Sequence, residues 1–243
     1  MSIDQAKSQA MSWIDENRDQ IISYLQDLVR IPSVNPWFTG KHETGEREAQ
    51  QLVRETMEGL GAEVDWWEPD AGQLSKWKGY PGYYEGRDFT DRPNLAATIS
   101  GSGGGKSILL TGHIDVVKAG TGWSYDPFGA HRSDGWIIGR GTADMKGGDA
   151  AMIMATKAVL ESGFSPAGDI VVGTVVDEEA GGMGTLAMMD RGHRADACIM
   201  TEPTDLNIAP LCRGILWGKL KLQGRSGHIE MPQGDWRDGG AVD

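Results

Sequence analysis

The chain has 243 residues, of which 23 are Lys or Arg and 35 are Asp or Glu, so its formal net charge is -12. This acidic balance argues against nucleic acid and anionic membranes as partners, because both bind basic protein surfaces. A hydrophobic fraction of 39% is that of an ordinary globular protein, and this length suffices for one large domain or slightly more.

The first third of the chain predicts two amphipathic helices, a short strand and a long loop. Apolar residues recur at helical spacing over residues 4–30 and again over 45–60. A strand is predicted over 64–67. The polar stretch 69–93, rich in Gly, Pro and aromatic residues, indicates a long loop of the kind that often carries function.

Strands and helices alternate in the middle of the chain. Strands are predicted over 95–99, 108–111, 170–176 and 197–200, and helices over 145–162 and 183–189. Such alternation is typical of an α/β fold, in which a mixed, mainly parallel sheet lies between helices. The pattern changes near residue 213, where apolar and polar residues alternate as in a half-exposed strand. Residues 1–212 therefore predict one domain, and 213–243 the beginning of a smaller α+β domain.

Potential metal ligands follow the apolar segments of the predicted sheet. They are His113 with Asp115, then Asp144, then the triplet Asp177, Glu178 and Glu179, and finally Glu202. Ligands of α/β proteins bind in the crevice at the carboxyl ends of the strands, where these residues would converge. Imidazole and carboxylate groups together suit a divalent metal ion. The pattern thus predicts a hydrolytic metal site.

Asp115 has a predicted supporting role beside His113, and Asp144 has a structural alternative to metal binding. Side chains alternate along an extended segment, so Asp115 is predicted to hold the second imidazole nitrogen of His113. Asp144 precedes a predicted helix and could be its N-cap, its metal ligand, or both. Arg140 and Lys146 flank Asp144, where they could orient it, carry substrate charge, or simply lie at the surface.

The glycine-rich segment 101–107 is close to a phosphate-binding loop but lacks its pattern. Ser100 stands where the motif requires glycine, and the following residues predict a strand rather than a helix. We therefore expect a hairpin turn between two strands at this point.

The strand-end motifs together resemble one family. They read GHIDVV at 112–117, WSYDPF at 123–128, GRGTADMKGG at 139–148, DEE at 177–179 and TEPT at 201–204. Their order and spacing resemble the dinuclear zinc amidohydrolases of peptidase family M20, most of all its acetylornithine deacetylase and succinyl-diaminopimelate desuccinylase branch. The resemblance runs over residues 8–243 and implies a catalytic domain of the zinc-exopeptidase type.

The resemblance implies a role for each of these residues. His113 and Glu202 would bind one metal ion, Glu179 would bind the other, and Asp144 would bridge the two. Glu178 would be the general base that takes a proton from the bridging water, and its choice over Asp177 depends on the resemblance alone. Zinc fits this set of ligands, and so do cobalt and manganese.

The segment after residue 212 resembles the start of the family's ferredoxin-like lid, which would also form a homodimer. In the block GRSGHIEMP at 224–232, His228 matches a histidine that helps to stabilise the tetrahedral oxyanion. The family's last metal ligand is a histidine near the end of a longer chain, and no residue after His228 matches it. We therefore expect an N-terminal fragment that is aggregation-prone and inactive by itself.

The activity that the resemblance implies is hydrolysis of the amide bond of an N-acyl amino acid. A carboxypeptidase or dipeptidase acting on short peptides is the alternative within the family, and an inactive fragment that binds a longer homologue is the alternative outside it. Because we find neither a leader pattern nor an apolar run long enough to span a bilayer, we expect a soluble cytoplasmic protein without membrane or nucleic-acid partners.

Overall fold

The computed structural model describes residues 1–41, 45–211, 214, 220 and 221. The chain divides into two compact units, Met1–Asp205 and Leu206–Asp243. The predicted domain boundary after residue 212 stays a prediction, because most of the second unit lies outside the described residues.

The first unit contains the elements of an α/β fold. Its helices are α1 (Ile3–Glu16), α2 (Arg18–Arg30), α3 (Pro36–Thr39), α4 (Gly45–Gly59), α5 (Ala71–Leu74), α6 (Lys146–Glu161) and α7 (Met183–Arg191), with a 3₁₀ turn at Ser75–Trp77. Its strands are β1 (Glu63–Trp67), β2 (Asn94–Ile99), β3 (Ile108–His113), β4 (His131–Ser133), β5 (Trp136–Ile138), β6 (Ile170–Val175) and β7 (Ala197–Met200). The predicted loop over 69–93 thus contains two short helical turns.

The prediction of one helix over residues 4–30 is wrong, because the helix breaks at Asn17. The Asn17 backbone leaves the helical region at φ -110° and ψ 23°. Its side-chain amide donates to the carbonyl oxygen of Trp13 at 2.8 Å, and its backbone amide donates to the same oxygen at 2.9 Å. An asparagine that bonds the last turn in this way ends one helix and lets the next begin in a new direction.

The main sheet has the strand order β1-β2-β6-β3-β7, and β4 and β5 form a separate two-stranded sheet. β3 is parallel to β6 and to β7, whereas β2 is antiparallel to β1 and to β6. Four of the five strands therefore run in one direction, which confirms the predicted mixed, mainly parallel sheet. The carboxyl ends of β3, β6 and β7 consequently meet at the same edge.

The expected hairpin between β2 and β3 is wrong, because β6 lies between them. The glycine-rich turn instead packs against the turn before β6, where the amide of Ser102 donates to the carbonyl oxygen of Pro166 at 2.9 Å. A Cβ atom at Gly101, Gly105 or Gly168 would overlap backbone atoms of the facing turn. These glycines are thus required for the close approach of two backbones.

Buried apolar residues lie on both faces of the sheet. The main cluster includes Leu28, Met57, Leu95, Ile153 and Val172, which come from α2, α4, β2, α6 and β6. A smaller cluster consists of Ala96, Leu109 and Val171, each next in sequence to a residue of the first cluster or of its packed shell. Successive side chains of a strand point to opposite faces, so the second cluster covers the other side of the sheet.

Within the described residues, no helix combines the length and apolar character needed to cross a membrane.

Candidate metal centre

Three of the predicted site residues are positioned by parallel strands. His113 is the last residue of β3, Glu178 follows the end of β6 by three residues, and Glu202 follows the end of β7 by two. Because β3 pairs with both β6 and β7 in parallel, these ends are adjacent in space. Asp144 approaches the same place from the segment that precedes α6.

The four side chains meet around the imidazole of His113. Its Nε2 atom lies 3.0 Å from Oδ1 of Asp144, 3.6 Å from Oε2 of Glu178 and 3.6 Å from Oε1 of Glu202. One ligand atom from each of His113, Asp144 and Glu202 lies within 4.8 Å of the other two. A nitrogen and two carboxylate oxygens at such distances fit a divalent ion. Asp144 is exposed, so the cluster opens to solvent on its side.

Charge in this cluster favours a cation. Burial opposes the positive charge of His113, but its hydrogen bond with Asp144 and the charges of Asp115, Glu178 and Glu202 raise its pKa to about 11. Burial raises the pKa of Glu178 to about 6, and burial followed by the charge of Asp144 raises that of Glu179 to about 7. Carboxylates crowded together resist ionisation unless a positive charge compensates them, and a divalent ion supplies that charge.

The expected contact between the Asp115 carboxylate and His113 is not the one that the structure forms. Nδ1 of His113 hydrogen bonds to the main-chain oxygen of Asp115 at 2.8 Å, while the carboxylate oxygen is 3.7 Å away. That carboxylate accepts the backbone amides of Glu178 at 3.1 Å and Glu179 at 3.2 Å. Asp115 therefore holds the imidazole by its carbonyl and the glutamate pair by its side chain.

Asp144 is not the N-cap of α6, so that alternative is wrong. The N-cap is Met145, which makes no side-chain capping bond. The Asp144 carboxylate instead accepts from His113, and this hydrogen bond lowers its pKa. Its side chain is therefore directed at the cluster and remains the predicted bridging ligand.

Lys146 is buried and does not carry substrate charge. Its ammonium donates to the carbonyl oxygens of Leu28 at 2.9 Å and Ile31 at 2.7 Å, at the C-terminal end of α2. One turn later on α6 lies Asp149, which is fully buried and whose two carboxyl oxygens have no hydrogen-bond partner among the described residues. The burial of both residues was not predicted from the sequence, because a charged residue in an amphipathic helix normally faces solvent.

Asp177 belongs to a set of buried polar residues whose other members were not predicted from the sequence. Its members are Asn35, Glu46, Arg87, Arg92 and Asp177. They come from four separate segments of the chain, so only the fold brings them together. His228 lies outside the described residues, and its predicted role stays a prediction.

Replacing Asp115 by Ala is expected to weaken metal affinity by roughly 10–100-fold, the usual cost of losing an outer partner of a ligand. The physical reason is that Asp115 Oδ1 and Oδ2 bind the Glu178 and Glu179 amides and so fix the turn that carries both side chains. Competition against a chelator measures the effect. An unchanged affinity would mean that the main-chain contact with His113 is sufficient.

Comparison with known proteins shows that the chain is similar to a peptidase family and to two curated enzymes. Residues 109–223 match the model of peptidase family M20/M25/M40. A succinyl-diaminopimelate desuccinylase of Methylobacterium radiotolerans is 34% identical over 226 residues, which cover 88% of this chain and 51% of the relative. An N-formyl-4-amino-5-aminomethyl-2-methylpyrimidine deformylase of Halalkalibacterium halodurans is 33% identical over 202 residues, covering 82% and 42%. The chain spans about half the length of these curated relatives.

Solved structures share the fold at low sequence identity. Human carnosine dipeptidase 1 aligns with a TM-score of 0.63 and 22% identity over 79% of this chain and 40% of its own. The M20 family metallo-carboxypeptidase Sso-CP2 of Sulfolobus solfataricus aligns with a TM-score of 0.58 and 23% identity over 74% and 37%.

Proposed function

Because the chain belongs to peptidase family M20, we propose that it forms the metal-binding part of a hydrolase that cleaves the amide bond of N-acyl amino acids. The observation that carries this proposal is the convergence of His113, Asp144 and Glu202 with the acid Glu178 at the carboxyl edge of the sheet. Such a site provides both a place for a divalent metal and a nearby carboxylate for proton transfer.

The chain's own residues divide the work of amide hydrolysis. A divalent metal held by His113, Asp144 and Glu202 would polarise the scissile carbonyl and lower the pKa of water. Glu178 lies at the same cluster, and burial raises its pKa to about 6, so near neutral pH it can accept a proton from water and deliver it to the leaving amine.

We further propose a second metal ion, which Glu179 would bind together with Asp144. The support is that Glu179 is half-buried and that Asp144 is the next largest influence on its pKa after burial. Zinc suits the imidazole and carboxylate ligands, while cobalt and manganese are alternatives. The proposal also assigns His228 to stabilising the tetrahedral oxyanion. The lid would form a homodimer.

The relatives favour an N-acyl substrate over a peptide. The two curated relatives described above are a desuccinylase and a deformylase by name, and both exceed 30% identity. The dipeptidase and carboxypeptidase structures fall below 25% identity and show only the fold. A carboxypeptidase or dipeptidase is therefore the second candidate, and a non-catalytic partner of a longer homologue is the third.

Arg140 is the cationic side chain that we propose to contact a substrate carboxylate. Lys146 is fully buried and bonded to two carbonyls, whereas Arg140 is partly exposed and reaches the carbonyl oxygens of Lys118 and Ala119 only at 3.4 Å. Arg140 also contributes to lowering the pKa of Asp144, which indicates that its charge is felt at the cluster.

In a form extended to the length of the relatives, substitution R140M is expected to raise KM about tenfold or more for an N-acyl amino acid and to leave KM for its uncharged carboxamide analogue unchanged. The reason is that a charge-assisted hydrogen bond to the carboxylate is lost. Steady-state kinetics on both substrates measure it, with R132M on β4 as a matched arginine control. Equal KM changes for the two substrates would contradict the assignment.

The function is tested with the chain itself and with a chimera that joins it to the part of the Methylobacterium desuccinylase that lies beyond the matched region. We expect the chain to bind divalent metal, and the chimera to hydrolyse N-succinyl or N-acetyl amino acids faster than dipeptides. A chimera that is folded and metal-loaded but hydrolyses only dipeptides would favour the second candidate. One that hydrolyses neither would overturn the proposal.

A further inference from the structure

The residue before the glutamate pair has an unusual backbone conformation. Asp177 is fully buried and has a φ of 65°, in the left-handed region that residues other than glycine rarely occupy. This conformation costs about 1 kcal/mol or more and persists only where surrounding contacts enforce it. The Asp177 side chain is buried in the protein, whereas the next two residues, Glu178 and Glu179, are half-buried.

Three side chains surround the Asp177 carboxylate. Oδ1 lies 3.4 Å from a terminal nitrogen of Arg92 and 3.3 Å from Nδ2 of Asn35, and Oδ2 lies 3.4 Å from Nε of Arg87. The side chains of the two arginines are only 3% and 7% exposed. Arg92 is itself held by two hydrogen bonds to the buried carboxylate of Glu46. Two buried arginines thus face two buried carboxyl groups.

The same residues are connected to the metal centre. Nδ2 of Asn35 also donates to Oδ2 of Asp115 at 2.8 Å, and that carboxylate accepts the Glu178 and Glu179 amides. On the other side of Glu178 and Glu179, a terminal nitrogen of Arg87 donates to the carbonyl oxygen of Ala180. The segment from Asp177 to Ala180 is therefore fixed at both ends.

Stability alone is a poor explanation for this arrangement. Desolvation of buried charges often exceeds the attraction between them, and apolar replacements of such groups are commonly as stable. Here the buried charges lie beside a strained residue that adjoins the proposed base and a proposed ligand. Strain of this kind is concentrated at functional sites, where it fixes a geometry that relaxed backbone would not adopt.

We infer that Asp177, clamped by Arg87, Arg92 and Asn35, is a positioning residue that sets the orientation of Glu178 and Glu179 toward the metal centre. It touches neither substrate nor metal and acts through the backbone of the next two residues and through Asp115. This inference rests on the proposed metal centre, and its test separates the two.

Substitution D177N in the 243-residue chain tests the inference, because it keeps the size of the side chain and removes the charge that the arginines hold. Cobalt(II) serves as the probe, with its dissociation constant measured by chelator competition and its ligand geometry by the visible absorption spectrum. We expect affinity to fall by about 10–100-fold and the spectrum to change.

The matched control is D65N, which removes an ion-paired aspartate of β1 that bonds Arg191 at 2.7 Å and His193 at 2.8 Å, outside the cluster. We expect its cobalt affinity to stay within about twofold of wild type, as for an independent site. If circular dichroism shows that D177N does not fold, N35A replaces it, because it breaks the link to Asp115 and leaves the Asp177 carboxylate in place beside Arg87 and Arg92.

The outcomes are distinct. A folded D177N, or N35A in its place, with wild-type affinity and spectrum overturns the positioning role and leaves the metal centre intact. Equal losses in D177N and D65N also overturn it, since the effect would then be one of general stability. A wild-type chain that binds no cobalt overturns the metal centre itself and the inference with it.

Discussion

Substitution E178Q is expected to lower kcat by about a thousandfold or more while metal content stays at the wild-type level, in the form extended to the length of its relatives. General acid–base groups typically contribute 10²–10⁴-fold, and a glutamine cannot accept the proton. The shape of the side chain is kept, so the contacts of the turn with Asp115 should survive. Steady-state kinetics and metal analysis of the same preparation measure the two effects.

The structure makes this a demanding test, because Oε2 of Glu178 is as close to Nε2 of His113 as Oε1 of Glu202 is, at 3.6 Å. By distance alone, Glu178 could be a ligand and Glu202 the base. The variants E179Q and E202Q are the controls, and each is expected to lose metal along with activity. A loss of metal in E178Q with metal retained in E202Q would exchange the two roles.

The site was predictable from sequence to the extent that it depends on strand ends. Apolar runs locate β3, β6 and β7, and parallel strands place the following residues at one edge, so His113 and Glu202 could be expected to meet. The burial of these strands on both faces makes the runs continuous and easy to recognise.

The order of the strands could not be predicted, because nothing in the segment 101–107 distinguishes a hairpin turn from one that packs on a distant loop. The ion pair of Arg92 with Glu46 joins residues 46 positions apart and requires the fold to be known first. The contact of Asp115 with His113 through a carbonyl rather than a carboxylate depends on where the Glu178 amide lies. Each of these three features depends on a contact with a part of the chain that is remote in sequence.

Substitution D149N is expected to make the chain more stable relative to wild type as pH rises from 5 to 7. Asp149 is fully buried, and this burial raises its pKa from 3.8 to about 8. The folded state therefore retains a proton that the unfolded state has released, and the free energy of unfolding falls as pH rises through this interval. Asparagine cannot ionise, so the variant lacks this loss.

The expected size of the stability difference follows from the width of the pH interval. One proton over two pH units corresponds to about 3 kcal/mol, or roughly 5–10 °C in Tm for a chain of this length. Thermal unfolding of both proteins with chelator present measures it. Lys146 has the opposite sign, because burial lowers its pKa from 10.5 to about 7 and its effect on stability begins only above pH 7. Other groups that titrate in this interval, such as Glu178, are present in both proteins, so the difference between D149N and wild type reports on the Asp149 carboxyl group.

D190N provides the contrast for this measurement. Hydrogen bonds from Lys76 and Trp77 lower the pKa of Asp190 below 3.8, so Asp190 is ionised in both the folded and the unfolded state above pH 5. The stability difference between D190N and wild type should then be independent of pH in this interval. If D149N behaves in the same way, Asp149 is ionised in the folded protein and pairs with Lys146. A negative charge would then lie behind His113, and the cluster would attract a cation more strongly than a neutral Asp149 allows.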